Sequence, residues 1–263
     1  MRVVLSIAGS DSSAGAGIQA DLKSITANGA YAATVITAVT AQNTLGVQCA
    51  WPLPLDAVRE QIASVFDDLD VAAVKTGMLG GSEMIELVAS ELLARRSRFV
   101  VVDPVMISKT GFALLAEDAA STLRQRLLPL ATVVTPNVHE AEALTGLSIR
   151  TVDDAQQAGE MLVEAGASAA LVKGGHLEGA PATDVLVTAE STDVFEGEWI
   201  DQRHTHGTGC TYASAIAARL AQGEELRAAI GTAKAYVTEA IRGGLDIGHG
   251  VGPTDHFWTT RND

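Results

Sequence analysis

Cysteine is scarce in this sequence: only Cys49 and Cys210 occur in 263 residues. Two cysteines cannot form the disulfide framework of a small secreted domain, so a reducing compartment, the cytoplasm, is the expected location. The first apolar run, residues 3–8, is shorter than the core of a secretory signal, and Asp11 follows closely. The longest charge-free stretch, residues 24–55, is interrupted by asparagine, glycine, glutamine and proline, so it predicts soluble core rather than a membrane span.

Basic residues are also few: 18 Lys and Arg stand against 32 Asp and Glu, which gives a formal net charge of −14. This balance argues against a nucleic-acid-binding protein, because such a protein needs a basic stripe on its surface. It does not argue against a small anionic ligand, since a local cluster of backbone N–H groups can bind an anion inside an acidic protein. With 47% apolar and 19% charged residues, the chain has the composition of a globular protein.

Short β-branched segments alternate with helical patterns along the whole chain. Strands are predicted at 3–8, 33–39, 72–74, 99–102, 132–134 and 169–172, with an antiparallel pair at 185–187 and 194–200. Helices are predicted at 17–28, 55–69, from Ser82 onward, and at 117–128, 151–165, 208–221 and 225–242. Ser82 is the expected cap of its helix, and Asn28-Gly29 is the expected left-handed stop of the first helix. The alternation predicts right-handed crossovers, a mostly parallel sheet with helices on both faces, and one domain over residues 1–263.

The loops beyond the carboxyl ends of the strands are the candidate sites, because ligands bind there in such sheets. The first of these loops, residues 9–17, places Gly9, Gly15 and Gly17 just before a helix, where backbone can approach a ligand closely. An ordinary βα turn is the alternative. Residues 15–20 also fit a relaxed dinucleotide fingerprint, but the acid expected after the second strand is missing, and no Lys-Ser/Thr pair completes a Walker-type phosphate loop.

Four further loops carry polar residues that allow two interpretations each. Gln42 offers a primary amide that can pair with a heteroaromatic edge, or it belongs to a plain polar turn. Asp103 either caps its strand or faces a metal ion or phosphate. Asn137 and Glu140 have the spacing of a capping box, which is compatible with holding hydrated Mg²⁺. Lys173 lies in a β-turn or reaches a nucleotide phosphate.

The segment HTHGTGC at residues 204–210 opens a helix rich in small residues. Flexible residues at a helix N-terminus form an anion hole from backbone N–H groups. A cysteine there is expected to have a lowered pKa, since the helix end favours the thiolate. The alternatives are a zinc site built from His204, His206 and Cys210, or a Cys210 that only packs. The glycines and their position at the start of a helix favour the anion hole. The zinc site is disfavoured, because no further cysteine or HExxH-type helix supports it.

Eight segments, in order along the chain, resemble a single protein family. They are LSIAGSDSSAGAGIQAD at 5–21, TAQNT at 40–44, KTGML at 75–79, DPVM at 103–106, TPNVHE at 135–140, KGGH at 173–176, HTHGTGC at 204–210 and GHGVGPTDHF at 248–257. Together they are similar to the hydroxymethylpyrimidine/phosphomethylpyrimidine kinases of thiamine biosynthesis, within the ribokinase-like superfamily. The resemblance implies a three-layer α/β/α sandwich with a mostly parallel central sheet. It also implies two ATP-dependent steps, which phosphorylate 4-amino-5-hydroxymethyl-2-methylpyrimidine and then its monophosphate.

The resemblance implies a substrate pocket and a small-molecule enzyme. Gln42 would read the aminopyrimidine edge, and the pocket around it would come from Gly9, Asp21, Met78 and Val105. The partners implied are the pyrimidine and ATP, without nucleic acid or membrane, and the expected assembly is a homodimer.

The resemblance also implies a phosphate-binding half of the site. ATP and Mg²⁺ would be bound by Lys173, Asn137 and Glu140, with Asp103 reaching the metal through water. The transferring phosphoryl group would be held by Gly207, Thr208 and Gly209. Cys210 would stand where many relatives of the superfamily carry an aspartate base, with packing against the substrate as the alternative role.

Two other functions stay open on the sequence. Pyridoxal kinases of the same fold use a similar GTGC segment, where a thiol can add to the aldehyde. A dinucleotide-dependent oxidoreductase would rest on residues 15–20. The chain departs from the family pattern at Ala14, where glycine is common, and at 111–115, where GFALL replaces a segment that usually resembles GDPLL. The segment at 111–115 is expected to be flexible and to flank the site.

Overall fold

A computed structural model of the chain describes residues 1–106, 111, 114–115, 119–175, 177 and 182–260. Nine strands in that part form one sheet: β1 (Val3–Asp11), β2 (Tyr31–Asn43), β3 (Gly46–Pro52), β4 (Val71–Thr76), β5 (Val100–Val102), β6 (Val133–Val134), β7 (Ala169–Gly174), β8 (Thr183–Thr188) and β9 (Thr192–Phe195). Their order is β3-β2-β1-β4-β5-β6-β7-β8-β9. Six neighbouring strands of this order are parallel: β2, β1, β4, β5, β6 and β7. β3 pairs antiparallel at one side of the sheet, and β8 and β9 pair antiparallel at the other.

Eight α-helices lie within the described residues: α1 (Gly17–Ala27), α2 (Leu55–Asp68), α3 (Ser82–Arg95), α4 (Ala119–Thr122), α5 (Val138–Thr145), α6 (Val152–Glu164), α7 (Thr208–Ala221) and α8 (Leu226–Arg242). α4 continues into a π-helical turn (Leu123–Leu127) and a 3-10 turn (Leu128–Leu130). Among these helices, none has the length and apolar character needed to cross a membrane.

Helices cover both faces of the sheet because successive strand residues point in opposite directions. Val4 and Val101 pack with residues of α7 and α8 on one face. The next residues along, Leu5 and Val102, pack with residues of α2 and α3 on the other face. A third cluster joins α5 and α6 to β7 and β8. This arrangement confirms the expected three-layer α/β/α sandwich, whose central strands are apolar on both faces.

The helix ends follow local signals closely, with one correction. Asn137 and Glu140 form the predicted capping box at the start of α5: the Asn137 side chain accepts from the Glu140 backbone, and the Glu140 side chain accepts from the Asn137 backbone. Gly29, after α1, has φ +82°, as expected for a left-handed helix stop. Ser82, predicted as a helix cap, is instead the first residue of α3, and Gly81 occupies the N-cap position.

Four segments differ from the predicted elements. α5 is not among the predicted helices, although the capping box at its start is predicted. β3 is an edge strand that the sequence analysis did not predict, because its residues are all exposed or half-buried and show no apolar alternation. β9 ends at Phe195 rather than at residue 200. The helix predicted at 117–128 is described only from Ala119, and it changes to π-helical geometry at Leu123. Residues 112–113 of the segment at 111–115, and His176, lie outside the described residues.

Asp21 of α1 and Lys75 of β4 form an ion pair without solvent exposure. Lys75 Nζ donates to both carboxylate oxygens, at 2.9 and 3.0 Å, and the hydroxyls of Ser6 and Ser214 donate to the same carboxylate at 2.6 and 2.8 Å. Burial alone would lower the pKa of Lys75, but the negative charges beside it, Asp21 foremost, raise it, so the lysine stays charged. The pair ties α1, β1, β4 and α7 together.

Removing one member of this pair is expected to destabilise the fold strongly. Lys75→Met leaves the Asp21 carboxylate buried without a counter-charge, which costs about 3–5 kcal/mol in free energy of unfolding. Chemical denaturation at neutral pH measures this loss. The double variant Lys75→Met/Asp21→Leu is the matched control, because it removes both charges, and it should recover a large part of the stability. A single variant as stable as the parent would contradict the expectation.

Candidate active site

A cavity of about 720 Å³ lies beyond the carboxyl ends of the parallel strands. Its volume is typical of small-molecule sites. All the residues predicted for the site except one line it: Gly9, Gln42, Met78, Asp103, Val105, Asn137, Glu140, Lys173, Gly207, Thr208, Gly209 and Cys210. The exception is Asp21. Its carboxylate is enclosed in the ion pair with Lys75, so the structure does not bring it to the cavity, and the expected direct contact with substrate does not fit its position.

The first turn of α7 presents the anion hole predicted at residues 207–210. Gly207 is the N-cap with φ +82°, and a side chain there would collide with the carbonyl oxygen of Gly15. A side chain at Gly17, which has φ +58°, would likewise collide with the carbonyl oxygen of Gly9. Glycine at position 207 lets the start of α7 touch the loop at residues 9–17, and glycine at position 17 lets that loop close on itself. The N–H group of Thr208 donates weakly to the carbonyl oxygen of Thr205, at 3.4 Å. The next N–H groups, of Gly209 and Cys210, lack intrahelical acceptors, so they can bind an anion in the cavity.

A lysine and an aspartate lie against this turn. A Cβ on Gly209 would be 3.4 Å from Nζ of Lys173 and 3.8 Å from Oδ2 of Asp103. Lys173 Nζ donates to Oδ1 of Asp103 at 3.2 Å. Burial alone would lower the pKa of Lys173, but Asp103 and Glu140 raise it, so the side chain stays cationic. A positive charge is thus held beside the anion hole.

Glu140 combines a structural and an electrostatic role. Its carboxylate accepts from the backbone N–H of Asn137 at 2.8 Å, which closes the capping box. Burial raises the pKa of Glu140 to about 7, with Lys173 lowering it and Asp103 raising it. A nearby cation would therefore favour the ionised form of this carboxylate.

Asp103 supplies the observation that tests whether Mg²⁺ fits the site. The side chain is buried, and among the described residues its Oδ2 has no hydrogen-bond partner. No group of three or more His, Cys, Asp and Glu side chains with ligand geometry occurs in that part of the chain. Mg²⁺ is commonly held by one or two carboxylates together with substrate phosphates and water. Asp103, Glu140 and Asn137 fit such a site, since they supply oxygen atoms at its edge.

Gln42 also lines the cavity, and two of its neighbours there are not predicted from the sequence. Its amide nitrogen is 3.0 Å from Nε2 of His206, which in turn is 3.0 Å from Oδ2 of Asp11. The signal for Asp11 was present, since it is the acid of the glycine-rich loop. His206 was considered only as a zinc ligand. In the same loop Ala14 has φ +62°, the left-handed conformation that explains why glycine is common there.

Cys210 is where the electrostatic expectation was wrong. Burial raises the pKa of the Cys210 thiol to about 12; Lys75 lowers it, but Asp21 and Asp103 raise it further. A helix N-terminus favours a thiolate, but here desolvation and two carboxylates outweigh that preference. The side chain lines the cavity as a neutral thiol.

An α/β/α sandwich whose cavity joins a helix N-terminus, a buried lysine and paired carboxylates has the site of a small-molecule kinase. A family model described as phosphomethylpyrimidine kinase matches residues 11–255. The hydroxymethylpyrimidine/phosphomethylpyrimidine kinase of Streptomyces coelicolor is 52% identical over 256 residues, which covers 97% of this chain and 94% of that protein. The chain therefore belongs to the phosphomethylpyrimidine kinase family, as its eight segments implied.

Solved structures share the fold over nearly the whole chain. The Bacillus subtilis pyridoxal kinase, solved as an ADP complex, has a TM-score of 0.93 and 41% identity, and each chain is covered completely. The phosphomethylpyrimidine kinase of Clostridium difficile 630 has a TM-score of 0.83 and 45% identity, over 92% of this chain and 100% of that one. These similarities confirm the expected ribokinase-like fold.

The thiol of Cys210 is expected to resist alkylation. At mildly alkaline pH it stays protonated, since its pKa is raised to about 12, and only the thiolate is an effective nucleophile. Cys49 is exposed and serves as the internal control. Mass spectrometry after brief treatment of the folded protein with iodoacetamide should find Cys49 modified at least about tenfold faster than Cys210. Equal rates at the two cysteines would show that a thiolate is populated at Cys210.

Proposed function

We propose that the protein transfers the γ-phosphoryl group of ATP to 4-amino-5-hydroxymethyl-2-methylpyrimidine and then phosphorylates the monophosphate to the diphosphate. The observation that carries the proposal is that one cavity is lined both by Gln42 and by the first turn of α7. Phosphoryl transfer depends mainly on positioning two molecules and on stabilising charge. The amide of Gln42 can position a ring, and the first turn of α7 can stabilise phosphate charge. Membership of the family supports the same reaction.

The pyrimidine is proposed to bind at the Gln42 end. A primary amide can donate to a ring nitrogen and accept from an amino group at the same time. Met78, Val105 and Gly9 line the same cavity. A Cβ on Gly9 would lie 3.0 Å from Sδ of Met78, so a larger residue there would crowd the space that the planar ring needs.

The phosphates are proposed to bind at the α7 end. The backbone of Gly207, Thr208 and Gly209 would stabilise the charge on the transferring group, because N–H groups fixed in advance need no reorganisation. Lys173 would neutralise phosphate oxygens of ATP. The ADP complex of the Bacillus subtilis relative supports a nucleoside triphosphate as the phosphoryl donor.

Asp103, Glu140 and Asn137 are proposed to hold Mg²⁺, directly or through water. When bound, Mg²⁺ neutralises charge on the nucleotide phosphates. The protein's own part is to hold the Asp103 side chain beside Lys173 and Lys75, at 3.2 and 4.0 Å, and to hold Glu140 in place through the capping box. Oδ2 of Asp103, which has no hydrogen-bond partner among the described residues, supports this assignment.

Cys210 is proposed to contact the hydroxymethyl group as a neutral thiol. A base role would require the thiolate, which burial and the neighbouring carboxylates oppose. The transition state of phosphoryl transfer is loose, with little bond formation to the attacking oxygen, so a strong base is not required. Contact and orientation are then the contributions that remain for this side chain.

We also propose one domain over residues 1–263, a cytoplasmic location and a homodimer. The continuous nine-strand sheet of the described residues supports one domain, and the scarcity of cysteine supports a reducing compartment. Exposed apolar side chains at the β3 edge, Leu45 and Trp51, support association, because such edges are usually covered. Light scattering at micromolar concentration should give twice the mass of 27.2 kDa. A mass of one chain would contradict the homodimer.

A small-substrate kinase panel tests the proposed reaction. With ATP and Mg²⁺, ADP release should rise when either the pyrimidine alcohol or its monophosphate is added, and chelation of Mg²⁺ should abolish it. Gln42→Leu should raise the KM for the pyrimidine by about 10- to 100-fold, because the bound edge loses its partner. Gln48→Leu is the matched control, since Gln48 is exposed on β3 and does not line the cavity.

Two results would overturn the proposal. If neither the pyrimidine alcohol nor its monophosphate stimulates ADP release, the proposed reaction is wrong. If Gln42→Leu leaves the KM for the pyrimidine unchanged, Gln42 does not bind it. Pyridoxal phosphorylation is the second candidate, favoured by the similarity to the Bacillus subtilis pyridoxal kinase. It would replace the first only if kcat/KM for pyridoxal exceeded that for the pyrimidine in direct competition.

A further inference from the structure

His206 contacts two site residues through one ring nitrogen. Its Nε2 lies 3.0 Å from Oδ2 of Asp11 and 3.0 Å from the amide nitrogen of Gln42. A ring nitrogen either donates or accepts, and a carboxylate accepts whereas an amide nitrogen donates. Nε2 must carry a hydrogen to bond Asp11 but must lack one to accept from the amide nitrogen of Gln42. With the amide in this orientation, only one of the two contacts can be a hydrogen bond.

The surroundings of Asp11 decide which way the ring nitrogen acts. The Asp11 carboxylate accepts from the Ser13 backbone and hydroxyl, both at 2.8 Å, from Gly15 N at 3.0 Å and from Ala16 N at 2.8 Å. Burial alone would raise the pKa of Asp11, but the hydrogen bonds from His206, Ser13 and Ala16 lower it. The group is an ionised, purely accepting carboxylate. Nε2 of His206 must therefore carry a hydrogen and donate.

The donating ring nitrogen then fixes the amide of Gln42. The oxygen and nitrogen of a primary amide exchange places by a half-turn, so their partners determine which is which. With Nε2–H of His206 on one side, Oε1 must face it. Before the half-turn, Oε1 of Gln42 lies 3.3 Å from Oγ1 of Thr40, and after it the amide nitrogen takes that place. Oγ1 can accept from the nitrogen, because its own hydrogen donates to the carbonyl of Ser10 at 2.8 Å. The single hydrogen on Nε2 of His206 is then shared between Oδ2 of Asp11 and Oε1 of Gln42, and no donor faces another donor in this chain of contacts.

The backbone of His206 is held by hydrogen bonds to a segment near the C-terminus. Its backbone N–H donates to Gly252 O at 3.0 Å, and its carbonyl accepts from Thr254 N at 3.2 Å. These bonds come from the C-terminal GHGVGPTDHF segment, whose residues do not line the cavity. A side chain at Gly15 would collide with the imidazole ring. The ring thus has little freedom to turn away from Gln42.

We propose that His206 is a positioning residue that fixes the order in which Gln42 presents its acceptor and donor, and so selects an aminopyrimidine over an oxopyrimidine. The inference rests on the proposed function. An amino group beside a ring nitrogen shows a donor and then an acceptor, whereas an oxo group beside a ring N–H shows the reverse. A locked amide pairs with the first pattern and opposes the second. A free amide can turn to pair with either.

Selectivity between the two ring types is the measurement that isolates this role. The ratio of kcat/KM for the 4-amino alcohol to that for its 4-oxo analogue should be roughly 100 or more in the parent protein, because mismatched partners stay buried and unpaired. His206→Phe keeps a ring but loses both nitrogens, and its ratio should fall at least about tenfold. The fall should come mainly from improved relative KM for the oxo analogue, with the KM for ATP unchanged.

Two further variants separate hydrogen bonding from packing. His206→Gln places a donor near the former Nε2 and should keep most of the selectivity. His206→Asn is too short to reach Gln42, so it should lose selectivity like the phenylalanine variant, and it provides the same comparison if that variant does not fold. His204→Gln is the matched control: His204 accepts from Gly252 N at 3.0 Å and does not line the cavity, so its ratio should equal that of the parent.

The outcomes distinguish this inference from the proposed function. Parent-like selectivity in both His206→Phe and His206→Asn would overturn the inference while leaving the kinase reaction intact. The inference would also fail if His206→Gln lost selectivity as completely as His206→Phe, since the donor would then be irrelevant. A parent protein that phosphorylates neither pyrimidine would overturn the proposed function and this inference with it.

Discussion

Asp21 and Lys75 form the buried ion pair on which the geometry of the cavity depends. Two charges removed from water are stable together only when further hydrogen bonds satisfy them, and Ser6 and Ser214 supply these bonds. Each partner comes from a different element, so the pair sets where α1 and α7 stand relative to β1 and β4. Asp103, 4.0 Å from the same lysine, extends this charge network to the cavity wall.

Close backbone contact is the second requirement, and it explains how an acidic protein can hold phosphates. A net charge of −14 opposes anionic ligands at long range. Gly207 meets the carbonyl of Gly15 where no side chain would fit, and this contact leaves the first turn of α7 open to the cavity. Backbone N–H groups and the cationic Lys173 then act at short range, where local dipoles and charges outweigh the distant field.

Several features of the site were predictable because their partners are close in sequence. The capping box of Asn137 and Glu140, and the glycine-rich start of α7, need only a few consecutive residues. The raised pKa of Cys210 was not predictable, since it depends on burial and on Asp21 and Asp103, which are distant along the chain. β3 was missed because an exposed edge strand carries no apolar alternation.

The sequence by itself determined the alternation of strands and helices, the family and a set of site residues of which all but Asp21 line the cavity, because periodicity and local motifs follow from short stretches of chain. Only the tertiary structure decided what those residues do to one another. Asp21 is a buried counter-ion instead of a pocket residue, Cys210 is a thiol instead of a thiolate, and His206 contacts Asp11 and Gln42. Each outcome depends on desolvation and on neighbours that meet only when the chain folds.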